Sequence, residues 1–244
     1  MIGRKDDPAF LYFPGNYRWS MGLLICLGAA PWTGIEIDEV HRVGRALEDH
    51  VGDDRAWFEE WTRMGDKIAA RGRDAQAKGH RLTAASCFMR ATRYYQTGER
   101  FIHPRSERSM AVYAASVELF KAAAAIIRHP RIESVEVPYD GTSLPALLVH
   151  PDPEAAGSRP APCMVFFDGF DVTKELQYGY GVPDLAARGI GCLIVDGPGN
   201  GESVRFRNLP LVAGAVQQQE RAAHLLHDAI EAKRFELLER RRLA

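Results

Sequence analysis

Two short stretches carry the residues best suited to chemistry. The first is Phe166-Phe167-Asp168-Gly169-Phe170-Asp171-Val172-Thr173-Lys174-Glu175, and the second is Val195-Asp196-Gly197-Pro198-Gly199-Asn200-Gly201-Glu202-Ser203. Each comes after a short apolar run. Acyl transfer places negative charge on one carbonyl oxygen, and backbone N–H groups fixed at a strand end can hold that charge. Such a loop needs a glycine, so that the backbone approaches the substrate with no Cβ in the way. Gly169 and Phe170 suit that task, although a tight strand-to-helix turn would use the same residues. The glycines of the second stretch permit a sharp exit from a strand. A phosphate-cradling loop is the competing reading. It lacks the lysine of a P-loop, and Gly197, Gly199 and Gly201, followed by Glu202, Ser203 and Val204, do not match the dinucleotide fingerprint.

The elements that must position these stretches can be read from periodicity. Met164 to Phe167 and Cys192 to Val195 are apolar throughout, and the sequence between them predicts a helix over much of Lys174 to Arg188, broken near Gly179 to Pro183. Strand, helix and strand of this kind imply a parallel pair joined by a right-handed crossover, with helices over both faces. Upstream, Ile132 to Val137 alternates, Asp140-Gly141 signals a turn and Leu144 to Val149 forms a second strand, which together make a hairpin. The Pro-rich stretch from Pro151 to Pro162 reads as a surface loop.

Up to about Pro130 the chain reads as helices. Trp57, Trp61, Met64 and Ile68 share a helix face, as do Leu82, Ala85 and Met89, and then Met110, Tyr113, Val117, Phe120, Ala124 and Ile127. Gly72, Gly79, Gly98 and Pro104 stand between the stripes as stops, and another helix pair is expected in residues 20 to 50. These aromatics are expected in the core; the alternative is that Trp57, Tyr94 and Tyr95 face a substrate pocket. No 34-residue period recurs, which argues against a tetratricopeptide array. Val212 to Ala244 is expected to be helical, with Ala222, Leu226 and Ile230 as a stripe.

The two glycine-bearing stretches resemble those of the helical-capped α/β-hydrolases related to 2,6-dihydroxypseudooxynicotine hydrolase and to the fermentation–respiration-switch esterase-like proteins. So do W-x-x-x-W at Trp57 and Trp61, Gly79-His80, R-A-T-R-Y-Y from Arg90 to Tyr95, and V-E-V-P-Y-D-G-T-S-L-P-A from Val135 to Ala146. The resemblance covers roughly residues 15 to 210. It implies an α/β chain: a helical cap over residues 1–130, a partial hydrolase core of about four strands over 131–210, and a C-terminal helical tail over 211–244. It implies a small carbonyl or ester substrate, hydrolysed at an ester or a carbon–carbon bond by a Ser, Asp and His triad. By the same resemblance Gly169 and Phe170 belong to the oxyanion loop, and Asp171, Lys174, Glu175, Asp196 and Gly199 fall near the active site.

The family's nucleophile sits in G-x-S-x-G, and no serine of this sequence satisfies that pattern. Ser143 has Gly141 before it but Pro145 after it, and Ser203 has Gly201 before it but Arg205 after it. The expectation is a truncated, inactive chain, such as a frameshift or early stop after Pro210 would produce; a non-catalytic binding or assembly module is the alternative. Loss of a fifth strand would leave Met164 to Phe167 as an exposed apolar edge, so a homo-oligomer through that edge is expected unless the tail covers it. A helical scaffold unrelated to hydrolases is a third reading. A formal charge of -1 provides no field for nucleic acid or anionic membrane. Met1 to Phe13 shows no apolar signal region, and Met21 to Ala30 is too short to span a bilayer. Cys26, Cys87, Cys163 and Cys192 form no C-x-x-C pair, and no third ligand accompanies His224 and His227, so a cytoplasmic protein without metal or cofactor is expected.

Overall fold

A computed structural model describes residues 11–157, 161–167 and 171–211. Two compact units divide the chain. One holds the helices up to Arg131 together with Tyr178–Asp184; the other holds Ile132–Gln177 and the chain from Leu185 onward.

The helical unit contains α1 (Tyr17–Gly28), α2 (Ala30–Thr33), α3 (Ile37–Ala46), α4 (Asp54–Ala77), α5 (Arg81–Gly98) and α6 (Glu107–Ile126). Side-chain caps fix three starts: Asn16 accepts from Trp19 N, Asp53 from Arg55 N and Ala56 N, and Ser106 from Ser109 N. Gly72 does not stop a helix. It lies inside α4, where a Cβ would meet the Phe88 ring at 2.6 Å, and Gly65 stands in the same relation to Tyr95 at 2.5 Å. Two glycines on α4 thus face two rings on α5 in reverse sequence order. The helices run antiparallel at close approach, and the glycines are packing residues.

The tryptophans stack in this unit's interior. Ring centroids are 5.1 Å apart for Trp19–Trp57, 5.6 Å for Trp57–Trp61 and 5.7 Å for Trp61–Tyr94. Trp57, Trp61, Tyr94 and Tyr95 are all buried, so they are core residues. Trp57 Nε1 donates to Thr97 O at 2.8 Å and Tyr94 OH to Glu39 at 2.7 Å, whereas the Trp61 indole N–H is buried with no hydrogen-bond partner among the described residues. Leu82, expected on the core stripe of α5, is instead exposed in its first turn. The segment from Tyr178 to Asp184 joins this packing. Tyr178 meets Phe120 edge-on, Tyr180 OH donates to Ile25 O, and Trp32 Nε1 donates to Asp184.

The second unit is built on a four-stranded mixed sheet in the order β1-β2-β4-β3. β1 (Ile132–Tyr139) and β2 (Thr142–Val149) form the expected hairpin, turning through Asp140 and Gly141 with φ of 40° and 76°. Two positive φ values in a two-residue turn match the right-handed strand twist. β2 pairs antiparallel with β4 (Gly191–Val195), and β3 (Cys163–Phe167) pairs parallel with β4. Every residue of β4 is buried, as its unbroken apolar run requires. The crossover runs through α8 (Lys174–Tyr178) and α9 (Val182–Ala187), with the break at Gly179–Gly181. α7 (Pro153–Ala156) precedes β3, and α10 (Gly201–Arg205) comes after β4. β3 stands at the sheet edge among the described residues, with Cys163, Met164 and Val165 exposed. The expected helical tail, with His224 and His227, lies outside the described residues.

Candidate active site

β3 and β4 run in the same direction, with Phe167 paired to Val195, so the chain leaves both strands at one end of the sheet. In parallel sheets that end is where ligands gather.

Asp196, the first residue beyond β4, organises the loops at this end. It is fully buried, and its own N–H donates to Pro145 O at 2.9 Å. Its carboxylate accepts from the backbone N of Lys174 at 2.8 Å on Oδ1. Oδ2 receives Lys174 Nζ at 2.9 Å and Glu202 N at 2.9 Å. One carboxylate thereby holds the start of α8 and the start of α10. The glycine-rich sequence makes this possible: Gly201 sits at φ 46°, where a Cβ would lie 2.0 Å from Asp196 Oδ2. Asn200 caps α10, accepting from Gly201 N at 2.8 Å, and its side-chain amide donates to Val172 O just before α8. Gly199 N donates to Leu209 O at 2.7 Å, which folds the chain back after α10.

Lys174 Nζ lies 2.6 Å from Glu175 Oε1, 2.6 Å from Glu202 Oε1 and 2.9 Å from Asp196 Oδ2. One ammonium therefore meets three carboxylates in a nearly closed space: the Lys174, Glu175 and Asp196 side chains are at most 4% exposed, and Glu202 is 16% exposed. Burial disfavours the lysine charge, but Asp196, Glu175 and Glu202 outweigh it and hold the ammonium well above its ordinary range. Burial also raises the Glu175 carboxyl, against the pull of Lys174 and with the help of the Asp196 and Glu202 charges.

The structure thus brings together Lys174, Glu175 and Asp196, with Gly199 on the same loop. Asp171 is exposed on the turn before α8, while Gly169 and Phe170 lie outside the described residues. Glu202, not singled out from sequence, completes the group; its place in the second glycine-bearing stretch was the available signal. Ser203 is buried with Oγ donating to Asp196 O at 2.6 Å, a structural bond rather than a nucleophile's setting. Ser143, on β2, takes a hydrogen bond from Arg207. Cys192 is buried in β4, and burial pushes its thiol up to about 11; Cys163 opens β3 and is exposed.

No family model matches the chain. It is 32% identical over 202 residues to hydrolase LUC6 of Fusarium sp, covering 82% of this chain and 47% of that protein. It is 31% identical over 188 residues to 20-hydroxy-prefusarin hydrolase FUS2 of Gibberella moniliformis, covering 76% and 44%. The α/β-hydrolase pydG of Acremonium sp is 27% identical over 237 residues, covering 95% and 54%. Among solved structures, 2,6-dihydroxy-pseudo-oxynicotine hydrolase superposes with a TM-score of 0.62 at 24% identity, over 81% of this chain and 52% of that one. The chain belongs to the α/β-hydrolase family. It spans about half the length of the curated relatives it matches. In this α/β-hydrolase-family chain the parallel β3–β4 pair is the one expected from two apolar runs with a helix between them, and the Lys174–Asp196 contact ties the start of α8 to the end of β4.

Proposed function

We propose that these residues supply the helical cap and the oxyanion side of a hydrolase acting on a small carbonyl compound, at an ester or a carbon–carbon bond. The observation that carries this reading is the pair of parallel strand ends whose exit loops are locked by Lys174 and Asp196. Gly169 and Phe170 are the backbone donors for the carbonyl oxygen, and Lys174, Glu175, Asp196 and Gly199 hold the surrounding loops. The names of the relatives support hydrolysis. Covalent acyl transfer needs an activated nucleophile, and no serine of the 244 residues stands in G-x-S-x-G. These residues alone are therefore proposed to bind a carbonyl ligand without turning it over. Four unpaired cysteines fit a reducing, cytoplasmic setting.

The test is to incubate the 244-residue protein with a p-nitrophenyl ester and a serine-directed fluorophosphonate, and to titrate acetylacetone while recording backbone amide resonances. The expected result is no serine labelling, no ester turnover, and shifts confined to the loops after β3 and β4. A labelled serine would overturn the inactive reading. Absence of shifts in those loops would overturn the carbonyl site.

A second reading, an assembly module without catalysis, draws on the exposed Met164 and Val165 at the β3 edge. It predicts a dimer in sedimentation that Val165→Lys converts to monomer. A monomer at all concentrations would end it.

A further inference from the structure

The crossover from β3 to β4 changes units twice. Lys174 to Gln177, most of α8, belong to the sheet unit; Tyr178–Asp184 belongs to the helical unit; from Leu185 the chain is again in the sheet unit. One five-residue helix is therefore fixed from two sides. At its start, Lys174 N donates to Asp196 Oδ1 at 2.8 Å, and Gln177 N donates to Thr173 O at 2.9 Å. At its end, the buried Tyr178 ring stands edge-on to Phe120 of α6, with centroids 5.6 Å apart.

The strap that comes after α8 is held by side chains along its length. Tyr180 OH donates to Ile25 O at 3.0 Å and accepts from Arg93 Nη1 at 3.1 Å, while the Arg93 guanidinium lies 4.8 Å from the Tyr180 ring centroid. Gly181 turns the chain at φ 86° beside the Trp32 ring, and Trp32 Nε1 donates to Asp184 at 2.9 Å. Arg93 is buried, and a guanidinium away from water loses much when stripped of an acceptor and an aromatic face. A connection that only had to reach from β3 to β4 would need none of these bonds.

We infer that Tyr180, seated on Arg93, is a positioning residue for the Lys174 group. α8 rises about 1.5 Å per residue, so Lys174 and Tyr178 lie about 6 Å apart along one axis, and a helix this short moves as one body. Where the helical unit seats the strap thereby sets where α8 begins, and with it the bond from Lys174 N to Asp196. Loosening the strap at Tyr180 tilts α8 and weakens that bond. The use of this coupling, holding the strand-end loops for a ligand, rests on the function proposed above; the coupling itself does not.

The experiment is amide hydrogen exchange, read by NMR on the 244-residue protein, for the unsubstituted chain, Tyr180→Phe and Tyr95→Phe. Tyr180→Phe keeps the ring beside Arg93 and removes the hydroxyl that joins Arg93 to Ile25 O. Tyr95→Phe is the control: it removes a hydroxyl bond from the same helix as Arg93, that to Asp66, and has no part in the strap. Lys174 N is expected to exchange about fivefold faster in Tyr180→Phe, the scale of one hydrogen bond's net worth, and at the unsubstituted rate in Tyr95→Phe. General loss of stability would instead speed that amide in both variants. Unchanged exchange of Lys174 N in Tyr180→Phe, or equal acceleration in the control, would overturn the inference. If Tyr180→Phe does not fold, Trp32→Phe takes its place, since it removes only the bond to Asp184; the same acceleration supports the coupling and its absence overturns it. Neither readout uses a ligand or turnover, so failure of the ester or acetylacetone experiments leaves this test standing.

Discussion

The two units organise their interiors differently. The helical unit encloses a stack of aromatic groups, with Trp57 donating to Thr97 and Tyr94 to Glu39, and it also buries Arg90, Arg93 and Glu99. The sheet unit has an apolar layer of Val137, Leu144, Ala146, Leu193 and Val195 and gathers buried charge into one group, in which Lys174 meets Asp196 and Glu175. An aromatic interior gains from area removed from water and is indifferent to pH. A buried ionic group gains little net stability and is retained where it fixes a geometry. The contrast marks which unit is built to persist and which is built to hold two loops in register.

The contrast is broken most directly by removing the centre of each interior. Trp61 is fully buried between Trp57 and Tyr94, and Trp61→Ala is expected to cost about 4 kcal/mol. The loss should be the same at acid and alkaline pH. All four tryptophans lie in the helical unit, so fluorescence during chemical denaturation reads this loss without contribution from the sheet. A loss that varied steeply with pH would show that the aromatic interior depends on charge after all.

Lys174→Met is the matching change in the sheet unit. It leaves three carboxylates with no ammonium among them, and breaking a buried ionic group in this way is expected to cost about 3 kcal/mol. The cost should shrink at acid pH, where carboxyls take up protons, and grow as pH rises. Hydrogen exchange of the β4 amides measures it. A pH-independent deficit would mean that lost packing, not charge, explains the lysine.

Gly201→Ala probes the same loop through its backbone. The residue combines φ 46° with a Cβ position 2.0 Å from the Asp196 carboxylate, so about 1–3 kcal/mol of strain and displacement is expected. Exchange protection of Lys174 N and Glu202 N, both bound to Asp196, should fall first.

The difference between the units also governs how much was legible in the sequence. The hairpin, the parallel pair and the broken crossover helix come from period, turn residues and apolar runs, each of which is a local property. Gly72 misled because a glycine in a helical pattern reads equally as a stop or as a contact, and only the Phe88 ring across from it decides. Leu82 misled because a stripe at the first turn of a helix can overrun the packed region. In the candidate site, Lys174, Glu175 and Asp196 stood out by their place after two strands. Glu202 did not, since its role depends on α10 turning back toward Lys174, which the sequence pattern does not encode by itself.

The smallest expected effect tests whether charge matters outside the buried group. Arg207 forks onto Glu136, and its guanidinium also meets Ser143 on β2. The Arg207 hydrogen bond holds the Glu136 carboxyl below the usual carboxylate range, against a modest opposing effect of burial. Because the folded value is depressed, the stabilisation is present above the unfolded carboxylate range and is lost as pH falls through the folded value. Glu136 is more than half exposed, so solvent screens the pair and Arg207→Gln should cost no more than about 1 kcal/mol. Added salt should erase most of that difference in denaturation midpoint while leaving the Lys174→Met deficit largely in place. Equal salt sensitivity of the two variants would place the Lys174 group in the same screened regime as the surface pair and remove the distinction between the sheet unit's interior and its rim.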